Sequence, residues 1–324
     1  MSTSLEPQTP PPATAPTASP AKAAQPAGDR VFAGVATGAG SLILLVLAGV
    51  AAFLLAEGIP AIVAPAEDLP GENGFVAFAW PLLFGTLLAA TIALVVATPF
   101  AVAVALFISH YAPRRIAQGL GYLMDLLAAI PSLVYGLWGV TVLAPATVPS
   151  SQWLADNLGF IPLFAGPAST TGRTMLVAGL VLAVMILPII SAVSREVFLQ
   201  TPRLHEEAAL ALGATRWEMI KMAVLPFGRS GIISGAMLGL GRALGETIAV
   251  ALIISGLGIV TFNIIGNQNS LTIAANIALD FPESSGLAVN ALIATGLVLF
   301  VVTFLVNAFA RYIINRRSEF SGAN

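Results

Sequence analysis

Residues 204–226 read Leu-His-Glu-Glu-Ala-Ala-Leu-Ala-Leu-Gly-Ala-Thr-Arg-Trp-Glu-Met-Ile-Lys-Met-Ala-Val-Leu-Pro, a polar stretch between two long apolar runs. Its punctuation is that of two short helices. Thr201-Pro202 suits a helix start, because proline tolerates the first helical position. Gly213 is able to adopt the left-handed backbone that ends a helix. Thr215 stands three before Glu218, the spacing of a capping box, which begins a second helix. Leu225-Pro226 is expected to close that helix before the chain re-enters apolar sequence. The stretch therefore reads as helix, glycine break and helix, held on one side of a membrane.

Composition agrees with a membrane. The chain has 324 residues, 57% hydrophobic and only 9% charged, where a soluble domain carries about 25% charged residues. A net charge of −2 argues against a nucleic-acid partner. The absence of cysteine excludes disulfides, thiolate catalysis and cysteine metal sites. His110 and His205 stand far apart, with no second histidine at ligand spacing, so no metal site is expected. Residues 1–30 are rich in Pro, Ala, Thr and Ser, and are expected to form a disordered tail, not a cleaved signal peptide. Residues 318–324 form a second, short tail.

Six runs are long enough to span, at about 20 apolar residues each. They are Val31–Ala56, 83–108, Ile116–Leu143, Thr174–Val193, Ile232–Leu257 and Leu287–Ala310. Pro81 is expected to end a surface segment before the second, and Trp153–Phe164 reads as an external interfacial segment. Basic residues set orientation, since they stay on the cytoplasmic side. With the N-terminus inside, Arg114, Arg115, Arg195, Arg203, Arg216, Lys221, Arg229, Arg311, Arg316 and Arg317 fall inside, and only Arg173 falls outside. Glu57, Glu67, Asp68, Glu72, Asp156, Asp280 and Glu283 fall outside. Both termini are thus expected in the cytoplasm, with an all-α membrane body over 31–317 and the polar loop at 200–228.

Two further stretches stand out. The fifth run contains Gly235, Gly239, Gly241, Arg242, Gly245 and Glu246. The glycines, four apart in pairs, suit close helix packing. Arg242 and Glu246, also four apart, would share one face of a continuous helix. Arg242 lies roughly 18 Å from the inner end at 1.5 Å per residue. A charge at that depth is a functional candidate. It could be a structural ion pair with Glu246, or it could meet an anion, since a guanidinium fork suits phosphate oxygens. In the third run, Pro131 removes a backbone hydrogen bond and Ser132 could help satisfy the freed carbonyl, giving a kink that is either structural or beside a pore. Asp125 reads as an interfacial acid.

These motifs carry a resemblance. The order Glu207-Ala208-Ala209, Gly213, Leu225-Pro226 resembles the cytoplasmic EAA loop of ATP-binding-cassette (ABC) importer permeases, with Ala223 where that family usually has isoleucine. Gly239-Leu240-Gly241-Arg242-Ala243-Leu244-Gly245-Glu246-Thr247 and Ala128–Gly136 are similar to segments of phosphate importer permeases. The continuation Ile248-Ala249-Val250 resembles the PstC type more than the sister PstA type. The resemblance implies a type I, MetI-like architecture in a bacterial cell membrane. It also implies phosphate translocation at Arg242 and Glu246, and ATPase coupling at Glu207, Ala208, Ala209 and Gly213. It implies as partners a PstA-type permease, a PstB-type ATPase dimer that binds ATP and Mg, and an extracytoplasmic PstS-type phosphate-binding protein, which would dock on 57–80, 145–173 and 257–287. The chain itself has no G-x-x-x-x-G-K-[ST] loop, so it is expected to be no enzyme and to hold no cofactor. A permease for molybdate or sulfate, an ion-coupled transporter and an intramembrane enzyme are the other readings.

Overall fold

The computed structural model describes residues 27–318, with side chains over 28–312. The expected tails, for residues 1–26 and 319–324, lie outside the described residues. Helix α1 runs over Ala27–Val63. Its part up to Val50 is a unit of its own, exposed along 28–50 and free of charge from Val31 on. The main unit begins at Ala51.

Six segments among the described residues are long and apolar enough to span: 28–63, 74–111, 132–158, 175–199, 216–244 and 287–312. The number agrees with the sequence reading, but several boundaries do not. Helix α2 runs unbroken over Gly74–Leu106, through Pro81 and Pro99. Pro81 therefore does not end a surface segment. The third span is displaced most. Arg114–Ala129 forms a separate amphipathic helix, α3, and the chain breaks at Ile130-Pro131. The span itself is Ser132–Leu158, built of α4 (Ser132–Trp138), a wide π turn at Gly139–Leu143 and α5 (Ala144–Leu158). Trp153 thus lies in the last turns of a spanning helix, not in an interfacial segment, and Asp125 is an exposed residue of α3.

Helix α6 (Met175–Leu199) begins at Thr174, whose hydroxyl accepts the Val177 N–H at 3.3 Å. It is the most buried span, and small residues on its neighbours let it be so. On α2, Ala89, Ala93, Ala97, Ala101 and Ala105 recur every fourth residue and are each at most 1% exposed. Helix α9 (Leu225–Leu244) approaches α6 along glycines. A Cβ on Gly228 would lie 2.4 Å from the Phe198 ring, and one on Gly231 2.4 Å from Val197. Gly235 and Gly239 continue the seam against Ile190, as their spacing suggests. Gly241 has open space and Gly245 faces only its own backbone, so that second glycine pair does not pack.

The loop after α6 holds α7 (Arg203–Ala211), Gly213 at φ +84°, and α8 (Arg216–Met219). Thr215 and Glu218 form the expected capping box. Leu225-Pro226 does not end a helix, however. A π turn at Ile220–Val224 joins α8 to α9, with the proline in the first turn of α9. A wide turn just before a proline accommodates the missing N–H without a break.

After α9 come α10 (Ile248–Ile253), an irregular segment to Thr272, α11 (Ile273–Asp280) and α12 (Leu287–Ser318). The irregular segment is not a free external loop. Ile265, Asn269 and Ser270 are at most 2% exposed. The Ile273 N–H donates to Thr86 Oγ1 at 2.9 Å, and a Cβ on Gly85 would lie 2.6 Å from the Leu271 carbonyl oxygen. Gly85→Val is therefore expected to lift this segment off α2, at a cost of about 2 kcal/mol. A lowered unfolding temperature in detergent, with membrane insertion unchanged, is the measurement.

Candidate functional site

The fifth span breaks where its charges are. Helix α9 stops at Leu244, and Gly245, Glu246 and Thr247 are not helical. Glycine weakens a helix interior, and here the two residues after it supply the bonds that a continuing helix would have made. The Thr247 hydroxyl donates to the Gly245 carbonyl at 3.2 Å. Glu246 Oε1 accepts the Ala249 N–H at 3.2 Å, which caps α10. Arg242 and Glu246 therefore do not share a helix face. Glu246 is 8% exposed and turned into the cap. Arg242 is exposed in the last turn of α9 and pairs with no carboxylate among the described residues.

The other end of α10 is held by a residue that sequence reasoning did not single out. Arg173 donates through Nη2 to the Leu252 carbonyl at 2.7 Å and through Nε to the Ile253 carbonyl at 3.2 Å. A six-residue helix thus has a carboxylate at its N-terminus and a guanidinium at its C-terminus, both complementary to the helix dipole. The signal was present in the charge pattern: Arg173 was the single basic residue on the acidic side.

The segment 128–136 meets this unit directly. A Cβ on Gly136 would lie 2.9 Å from the Ala249 Cα, so α10 rests on α4 at a glycine. A Cβ on Gly139 would lie 2.9 Å from Ile253. Pro131 marks a full break between α3 and α4, not a kink within one helix. The freed Leu127 carbonyl accepts the Tyr135 hydroxyl at 2.8 Å, the role expected of Ser132. Tyr135 is buried. The two motifs are one assembly: α10 sits on Gly136 and Gly139, with Arg242 and Tyr135 beside the break.

The residues of the polar loop are elsewhere. Glu207, Ala208 and Gly213 are exposed on α7 and the turn after it. Leu204 and Leu212 are 77% and 90% exposed. Ala209 faces inward, against a cluster of Ala105, Leu106, Phe198, Met219, Ile220 and Val224. Glu206 also turns inward, with Oε1 3.5 Å from His110 Nε2. The two neighbouring acids thus have different surroundings. Among the described residues no group of acids and histidines is arranged to hold a metal ion.

Residues 97–319 match the family described as binding-protein-dependent transport system inner membrane component. The chain belongs to that family. It is a multi-pass cell-membrane protein. It is 46% identical over 298 residues to a phosphate transport system permease protein, PstC 2, of Mycobacterium bovis, covering 88% of this chain and 91% of that protein. It is 39% identical over 309 residues to the phosphate transport system permease protein PstC of Xylella fastidiosa, covering 91% and 93%. Among solved structures, a chain of a bacterial ABC transporter involved in the import of the acidic polysaccharide alginate has the same fold. It matches with a TM-score of 0.53 and 18% identity, over 89% of this chain and 99% of that one.

Arg173→Met removes two charge-assisted hydrogen bonds from the end of α10, an expected loss of about 2 kcal/mol of local stability. Faster amide hydrogen exchange over 249–256, with exchange in α6 unchanged, is the expected outcome.

Proposed function

We propose that this chain is the PstC-type permease subunit of an ATP-driven importer of inorganic phosphate. One observation carries the choice of an anion. Arg242 keeps an uncompensated positive charge beside a helix break, because the nearest acid in sequence, Glu246, is used to cap α10. A guanidinium without a carboxylate is matched by an oxyanion, and its planar donor fork fits phosphate oxygens. The names of the relatives support phosphate over other oxyanions. Broken helices commonly line transport sites near the membrane midplane. Glu246 and Thr247 then act on the substrate indirectly, by holding the break open. Pro131 and Ser132 serve the same site as the hinge before α4, which supports α10.

The proposed partners are a PstA-type permease, two PstB-type ATPase subunits and a PstS-type phosphate-binding protein on the outer side. ATP and Mg belong to the ATPase, and this subunit carries transport alone. The exposed face of α7, with Glu207 and Ala208 flanked by Leu204 and Leu212, offers the ATPase an apolar surface with an acid in it. Gly213, at φ +84°, lets the chain turn back so that this face protrudes. ATP binding would draw the ATPase subunits together, shift this loop and open the permease outward to receive phosphate. Hydrolysis would return it inward.

Arg242→Gln is expected to lower phosphate uptake roughly a hundredfold, equivalent to about 3 kcal/mol, with complex assembly intact. Loss of assembly instead would identify Arg242 as structural, and equal competition by molybdate or sulfate would move the substrate class. Glu246→Gln keeps a capping acceptor and should retain more uptake than Glu246→Ala, which loses about 1 kcal/mol of cap. Glu207→Ala and Gly213→Val should each release the ATPase from membranes in pull-down, while the permease still inserts.

A further inference from the structure

The last turn of α2 widens into a π turn at Phe107–Tyr111, and this turn carries His110. Its ring is fixed on both sides. Ser109 Oγ lies 2.7 Å from His110 Nδ1 and 2.8 Å from the Ala105 carbonyl oxygen. Nε2 lies 3.5 Å from Glu206 Oε1. The side chains are 10% and 24% exposed, so solvent reaches the contact only in part. One helical turn along, Ala209 packs on the cluster that includes Ala105 and Leu106 of α2. The inner face of α7 thus meets the end of α2 through the Glu206–His110 contact, and Ala209 packs on a cluster to which α2 contributes Ala105 and Leu106. Glu207, next in sequence, is exposed.

Helix α2 continues from this attachment to the other side of the protein. Thr86, which accepts the Ile273 N–H, is 24 residues from His110, or about 36 Å at 1.5 Å per residue. The residues held there, Leu271 and Ile273, close the irregular segment that begins where α10 ends, and the start of α10 is capped by Glu246. One helix therefore touches α7 at one end and the support of the Arg242 site at the other.

We propose that Glu206 and His110 are positioning residues that transmit motion of α7 into α2, and that Glu206 and Glu207 divide the work of the loop: Glu207 meets the ATPase, Glu206 delivers its movement. This rests on the reading of α7 as the ATPase-coupling helix.

The test uses the complete transporter in vesicles and measures phosphate moved per ATP hydrolysed. His110→Ala and Glu206→Gln are each expected to lower this ratio about tenfold while the ATPase stays bound. The double variant should be no worse than either single one, because both break the same link. His110→Lys, which places an ammonium donor facing Glu206, should recover most of the ratio. An unchanged ratio in the single variants overturns the proposal, as do additive losses in the double variant. Failure of His110→Lys alongside His110→Ala overturns it too, since that pattern belongs to ring packing. Glu207→Ala separates the two levels. Loss of ATPase binding there, with a normal ratio in the His110 and Glu206 variants, removes this inference and leaves the coupling reading standing. Retained binding in Glu207→Ala removes both.

Discussion

A helix that stops inside a membrane protein must find partners for the backbone groups it leaves behind, because the hydrocarbon supplies none. The break at Gly245–Thr247 sets that requirement here, and much of the surrounding structure answers it. Thr247 returns a hydroxyl to the Gly245 carbonyl and Glu246 covers the start of α10. Arg173, from a segment 79 residues away, covers its end. Thr86 of α2 takes the first free N–H of α11. An acid and a base that look like an ion pair in the sequence are separated by this demand. Glu246 serves the backbone, and Arg242 keeps its charge.

The close packing that brings these partners within reach depends on small residues. Alanines at every fourth position of α2 and glycines along α9 let both helices lie against α6. Without a hydrophobic driving force between helices in lipid, such contact surfaces supply dispersion and let polar groups meet. Gly136 and Gly139 do the same for α10 on the third span. Phe198, fully buried among residues of α2, α8 and the turn after it, joins the polar loop to the spans.

Much of this was legible in the chain itself. The number of spans follows from apolar run lengths, and the two helices of the polar loop follow from Gly213 and the Thr215–Glu218 spacing. What hydropathy could not show is where a helix changes character within an apolar stretch. Ile116–Ala129 is apolar enough to be counted into a span, yet it is an amphipathic helix that ends before Pro131. Pro81 and Pro226 looked like helix ends. Pro81 lies within an intact helix, and Pro226 follows a π turn. Helix periodicity put Arg242 and Glu246 on one face because it assumes a continuous helix, and the three residues Gly245-Glu246-Thr247 do not continue one. Arg173 was visible only as an oddity of charge, since its acceptors are carbonyls, which no sequence pattern marks.

The bond between Thr86 and Ile273 also places a demand on how the protein is made. Its partners are 187 residues apart. At roughly 5–20 residues per second, on the order of 10–40 s of synthesis separate them. During that interval α2 can insert and pack its alanine face, but the notch at Gly85 has nothing to receive. The support of α10 is therefore completed late, after the fifth span has entered the membrane and the chain beyond it has been synthesised. When that contact forms, only the α12 span has still to be made.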